Sequence, residues 1–159
     1  MTTRLIATSA TRRRAATGAG ARLLGAVLCL AVAAIHIIDQ GGIPGTKTPG
    51  YVGILYWLLE IVGVLVAVLL LRRVTRAGWF LALGVAAGPL AGYLLSRGPG
   101  LPYYTDDKGN WTEPLGLVSL AVEGLLLIVA AVMFRREARA RLATEDAPAA
   151  EADLDRRAA

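Results

Sequence analysis

The 159-residue chain is 55% hydrophobic with a mean hydropathy of +0.54, and its 17 Lys and Arg and 12 Asp and Glu crowd into the two ends and three connections. That distribution excludes an ordinary soluble domain, and the net charge of +5 is no nucleic-acid footprint, because the arginines flank apolar runs without a basic, aromatic-interleaved stripe. A single cysteine, Cys29, and a single histidine, His36, exclude an intrachain disulfide, a multi-histidine metal centre and a bis-imidazole haem, so neither metal nor cofactor is expected.

Residues 1–21 hold Arg4, Arg12, Arg13 and Arg14 among Ala, Thr, Ser and Gly with no apolar period, which predicts a basic, flexible arm. The first span is expected over about 22–40, between Arg22 and Asp39. Its basic start and LAVAA end have the character of a secretory signal, but three further spans follow, so the helix is expected to be retained. QGGIPGTKTPG over 40–50 is rich in helix breakers and marks a loop. The second span, 51–71, is about 30 Å long at 1.5 Å per residue, the thickness of a bilayer hydrocarbon core. Its one charge is Glu60, near the middle, where a carboxylate costs about 2.5–3.5 kcal/mol on insertion scales and is therefore expected to face protein. Arg72, Arg73 and Arg76 close this span, and the short connection to the next apolar run predicts an antiparallel hairpin.

The third span, 78–96, carries Gly84, Gly88 and Gly92 at four-residue spacing, a doubled GxxxG pattern that predicts helix packing through those three positions. Pro89 within it leaves the Val85 carbonyl without its usual helical donor. Residues 97–112 (RGPGLPYYTDDKGNWT) form the longest connection, and Glu113 with Pro114 suits the start of a fourth span over 114–134. The tail over 137–159 has no apolar face and is expected to be flexible. The arginine-rich segments, which are the arm, the 72–76 turn and 135–141, fall on one side when four spans alternate. The positive-inside rule then puts both termini in the cytoplasm and the two Gly/Pro loops outside. The expected fold class is an all-α membrane protein, an antiparallel four-transmembrane-helix bundle over 22–136.

Orientation converts positions to depths. Glu60 and Glu123 lie on the order of 13–15 Å below the outer ends of their spans at 1.5 Å per residue. Tyr56 shares the face of Glu60 and Ser119 that of Glu123, so these four make a candidate intramembrane polar site. The two acids are expected to face one another there and share a proton. His36, Asp39, Arg97 and Tyr93 gather at the outer ends of the first and third helices as a candidate outer polar cap.

In the AIHIIDQ end of the first helix, the GYLLS end of the third and the EPLGLVSLAVE start of the fourth, the chain resembles small four-span membrane proteins of high-GC Gram-positive bacteria, over roughly 23–134. The resemblance implies a plasma-membrane location and supplies no reaction. Small multidrug exporters are also four-span chains with a buried acid, but they carry it in the first helix, where this chain has His36 and no Glu. Two function classes follow. The first is a non-catalytic accessory or assembly subunit, partnered by the lipid bilayer and by a second copy or another membrane protein. The alternative is a small proton-linked transporter or ligand-binding protein using Glu60 and Glu123. Without an HExxH motif or a Ser–His pairing, no catalytic residue is assigned, and nucleic acid is not expected as a partner.

Overall fold

The computed structural model describes the backbone of residues 2–43, 45, 47 and 50–158, with side chains from 18 to 144 within that set. Pro44, Thr46, Thr48 and Pro49 of the loop expected over 40–50 lie outside the described residues, as do the side chains of Arg4, Arg12, Arg13 and Arg14. Four helices account for most of the chain: α1 (Thr2–Asp39), α2 (Gly50–Leu71), α3 (Thr75–Arg97) and α4 (Pro114–Ala158). Each includes a stretch long and apolar enough to cross a membrane, at Gly18–Asp39, Gly50–Leu71, Thr75–Arg97 and Pro114–Thr144. Such helices satisfy their backbone groups internally, as a bilayer demands, and present residues such as Ile54, Ile61 and Ile128 on their outer faces. They fit an integral membrane protein.

The helices run antiparallel in the order α1, α2, α3, α4 around a bundle that α4 closes against α1. Of the two diagonals, α1 touches α3, whereas among the described residues α2 and α4 do not approach each other. One end of the bundle carries the two termini and the α2–α3 turn; the other carries the α1–α2 and α3–α4 loops. The core lies toward the end with the termini. There Cys29 and Val32 of α1, Val66 and Leu70 of α2, Trp79 and Ala82 of α3, and Leu126 and Ala130 of α4 are fully enclosed. Lipid tails are as apolar as leucine, so this core is held by close van der Waals packing more than by transfer from water.

Small residues make that packing possible at specific points. A Cβ on Gly25 would lie 2.7 Å from two ring carbons of Trp79, one on Gly78 would lie 2.8 Å from Leu70, and one on Gly63 would lie 3.1 Å from the Cys29 carbonyl. The expected ladder on α3 behaves differently. At Gly84, Gly88 and Gly92 an added Cβ would meet nothing within 4 Å, so these glycines do not pack against a neighbouring helix of this chain. α3 approaches its neighbours through Gly78, Trp79, Ala82 and Ala86 instead, and leaves the ladder facing open space.

The backbone of the arm and of the tail, neither of which has an apolar face, is helical from Thr2 and to Ala158. Alanine and arginine have high intrinsic helix propensity, and each segment extends a helix whose costly nucleation the span has already met. α3 continues through Pro89 to Arg97, as the span expected over 78–96 requires. The α2–α3 turn needs only Arg72, Arg73 and Val74, with Arg73 at φ 64° and the Val74 amide bonded to the Leu69 carbonyl at 2.9 Å.

Candidate functional site

At the loop end the helices diverge and enclose a cavity of about 380 Å³, within the range of small-molecule sites. All four helices and the α3–α4 loop line it. Its apolar lining includes Leu55, Leu58 and Leu59 of α2 and Gly84, Gly88 and Gly92 of α3. Because Leu55, Leu58, Gly84 and Gly88 are also exposed on the bundle's perimeter, the cavity opens sideways between α2 and α3. From Gly84 to Arg97 it extends about 20 Å along α3 at 1.5 Å per residue.

Its polar lining is deepest where α1 and α4 build it. His36 Nδ1 lies 2.9 Å from the Val32 carbonyl one turn earlier. A carbonyl can only accept, so Nδ1 carries the hydrogen, and Nε2 of the neutral ring is left as an acceptor. Nε2 points toward Glu123 Oε1 at 3.9 Å, too far for a direct hydrogen bond. Ser119, one turn before Glu123 on α4, donates to the same oxygen at 2.5 Å. Glu123 is only 1% exposed, so its carboxyl meets this cluster and not bulk water.

Tyr56 links the deep group to the surface. Its ring meets the His36 ring edge-on at 5.1 Å, and its hydroxyl donates to Asp39 Oδ2. Lys47 Nζ reaches the same oxygen at 3.1 Å and lies 5.5 Å above the Tyr56 ring. Asp39 is therefore already paired at the cavity edge.

Arg97 organises the mouth. Its Nε donates to the Asn110 carbonyl at 2.9 Å, Nη1 to Ser96 Oγ at 3.1 Å, and Nη2 to Glu113 Oε2 at 2.9 Å, with Asp107 Oδ2 at 3.7 Å. The guanidinium lies 4.0 Å from the Tyr93 ring centre, a cation–π arrangement. Tyr93 in turn donates to the Trp111 carbonyl at 2.7 Å. Glu113 Oε2 also accepts the Gly116 amide at 3.1 Å, so one carboxylate caps α4 and pairs with Arg97. In the loop, Tyr104 donates to Asp107 Oδ2 at 2.9 Å. Burial, followed by that bond to an anion, holds the Tyr104 hydroxyl above its ordinary pKa.

The residues singled out in the sequence divide between two places. His36, Asp39, Tyr56, Tyr93, Arg97, Ser119 and Glu123 all line the cavity, together with Gly84, Gly88 and Gly92. Glu60 does not. Its Oε1 accepts a hydrogen bond from Gln40 Nε2 at 2.6 Å in the α1–α2 seam, where both residues are buried. Among the described residues no hydrogen bond or ion pair joins Glu60 to Glu123, and the physical reason is their helices' place on the non-contacting diagonal. The partners that sequence reasoning missed are Gln40 for Glu60, Lys47 for Asp39, and Glu113 and Asn110 for Arg97. Only Gln40 left a signal, at four residues from His36 on one helix face. Comparison with protein-family models, curated proteins and solved structures finds no match to this chain.

Proposed function

We propose that this chain is a multi-pass plasma-membrane protein with both termini in the cytoplasm, and that it binds a small amphipathic molecule reaching its cavity from the outer leaflet. The arginine-rich arm, turn and α4 segment at one end of the bundle support the orientation through the positive-inside rule. The observation that carries the binding reading is the cavity itself. Apolar and polar side chains share its lining, and its exposed lining residues Leu55, Leu58, Gly84 and Gly88 lie on the face of α2 and α3 that lipid would cover. A proton-linked transporter is the same reading with movement added, and it centres on Glu123 and His36, since Glu60 lies outside the cavity.

The accessory or assembly subunit remains a second reading because the exposed Gly84 and Gly88 face could seat a helix of a second copy or of another membrane protein. One experiment separates the two. Protein purified from its own membranes in mild detergent is examined by native mass spectrometry, alongside Gly88→Phe, which places a ring in the cavity. Ligand binding predicts a small-molecule adduct on the wild type that Gly88→Phe loses. A stoichiometric protein partner without any adduct would overturn it in favour of the subunit.

A further inference from the structure

The hydrogen-bonding inventory of the cavity is one-sided. Tyr56, Tyr93 and Tyr104 give their hydroxyl hydrogens to Asp39, the Trp111 carbonyl and Asp107. Ser96 and Ser119 give theirs to the Tyr93 carbonyl and Glu123. Arg97 engages three of its five N–H groups with protein acceptors, and His36 spends its Nδ1 hydrogen on Val32. Apart from the other two Arg97 N–H groups at the mouth, these donors are committed within the fold.

Acceptors are in surplus. A carboxylate offers about four lone-pair sites, and Asp39, Asp107, Glu113 and Glu123 all line the space. His36 Nε2 adds another. Charge points the same way: four acids line the cavity and, among the described residues, Arg97 is the single Lys or Arg in its lining. A ligand head that only accepts would find donors only at Arg97 in the mouth, and an anionic one such as a phosphate or carboxylate would also face four acids.

The gap between His36 and Glu123 fits a donor. At 3.9 Å, Nε2 and Oε1 are too far apart to bond each other. One nitrogen placed between them can still lie about 2.8 Å from both, the usual length of a charge-assisted bond. Hydrocarbon attached to that nitrogen would run along the glycine and leucine wall toward the opening between α2 and α3.

Resting on the binding reading above, we propose that the cavity selects a membrane-soluble primary amine, with its ammonium bridging Glu123 and His36 and its hydrocarbon on the Gly84 and Gly88 wall. Dodecylamine serves as the probe. Tritiated dodecylamine is bound to full-length protein in mild detergent by scintillation proximity, and unlabelled dodecylamine, dodecyltrimethylammonium and dodecanol compete. Saturable binding is expected, with dodecylamine displacing at least tenfold more effectively than the other two. Glu123→Gln is expected to weaken binding at least tenfold, and Gly88→Phe to abolish it. Glu60→Gln, in the α1–α2 seam, is expected to leave it unchanged.

The failures are distinguishable. Equal competition by dodecanol would overturn the cationic head while the cavity reading stands. Equal competition by the quaternary ammonium, which has no N–H, would overturn the hydrogen-bonded head and leave charge alone. Absence of saturable binding would overturn the inference, and the adduct test by native mass spectrometry would then decide the parent reading by itself. The competition order needs only wild-type protein, so it decides the matter even if Glu123→Gln does not fold.

Discussion

A single methyl group at Gly25 tests whether the bundle is packed at the termini end and hollow at the loop end. A Cβ there would lie 2.7 Å from two Trp79 ring carbons and 3.0 Å from Leu70 Cδ1. Neither neighbour can retreat freely, since Trp79 and Leu70 are both fully enclosed. Forcing such contacts in a tight core costs about 1–3 kcal/mol, so Gly25→Ala should destabilise by that amount. Gly88→Ala is the matched control: an added Cβ meets nothing within 4 Å, and removing a mid-helix glycine favours the folded helix by about 0.5–1 kcal/mol. The two substitutions should therefore differ by about 1.5–4 kcal/mol and have opposite signs. Reversible unfolding in mixed dodecyl maltoside and SDS micelles, followed by tryptophan fluorescence, measures both. Equal destabilisation, or a larger loss at Gly88, would refute the account and return the α3 ladder to a packing role.

Arg97→Gln should loosen the α3–α4 loop by removing the tie to Glu113. Because Glu113 is 30% exposed, the expected loss is only about 1–2 kcal/mol, read as faster proteolysis within 98–113. Tyr104 supplies a pH test. Its hydroxyl is harder to ionise in the folded loop than in the unfolded chain, so its contribution is complete below about pH 10 and is lost as pH rises through the folded-state value. Tyr104→Phe should flatten the alkaline decline in stability above that pH, and an unchanged decline would show that Tyr104 does not cause it. Orientation is tested in a Cys29→Ser background, where a cysteine at Asp107 should label from outside intact cells and one at Thr75 should not.

The sequence carried the number and direction of the helices because a run of apolar residues long enough to span a bilayer has few alternative readings, and arginine placement fixes alternation. It could not carry which helix stands opposite which. Glu60 and Glu123 lie at similar residue counts from the outer ends of their spans, but the ring order α1, α2, α3, α4 sends α2 and α4 to the open diagonal, and Glu60 turns to Gln40 in the α1–α2 seam. The glycine pattern was ambiguous in a related way. Spacing shows that Gly84, Gly88 and Gly92 share a face, whereas only the fold shows whether anything fills the space beyond it. Gly25 and Gly63 make the close approaches without belonging to a GxxxG repeat, so their role depends on Trp79 and Cys29 arriving from elsewhere in the chain. Arg97's partners Asn110 and Glu113 lie across a loop whose course has no periodic signature.

The two ends of the bundle make opposite use of small residues. Toward the termini, Gly25, Gly63 and Gly78 let backbones and rings close until no space remains, and such interfaces resist rearrangement because rigid, well-packed side chains have no alternative positions. Toward the loops, Gly84, Gly88 and Gly92 withhold side chains where no neighbour arrives, and the result is volume. The closed end fixes the helices that carry His36, Tyr56, Tyr93 and Glu123, so those groups hold their spacing without filling the cavity themselves. Preorganisation of this kind reduces the ordering cost that binding would otherwise incur. Filling the α3 ladder should therefore cost ligand affinity while leaving the fold intact, whereas filling Gly25 should cost the fold first.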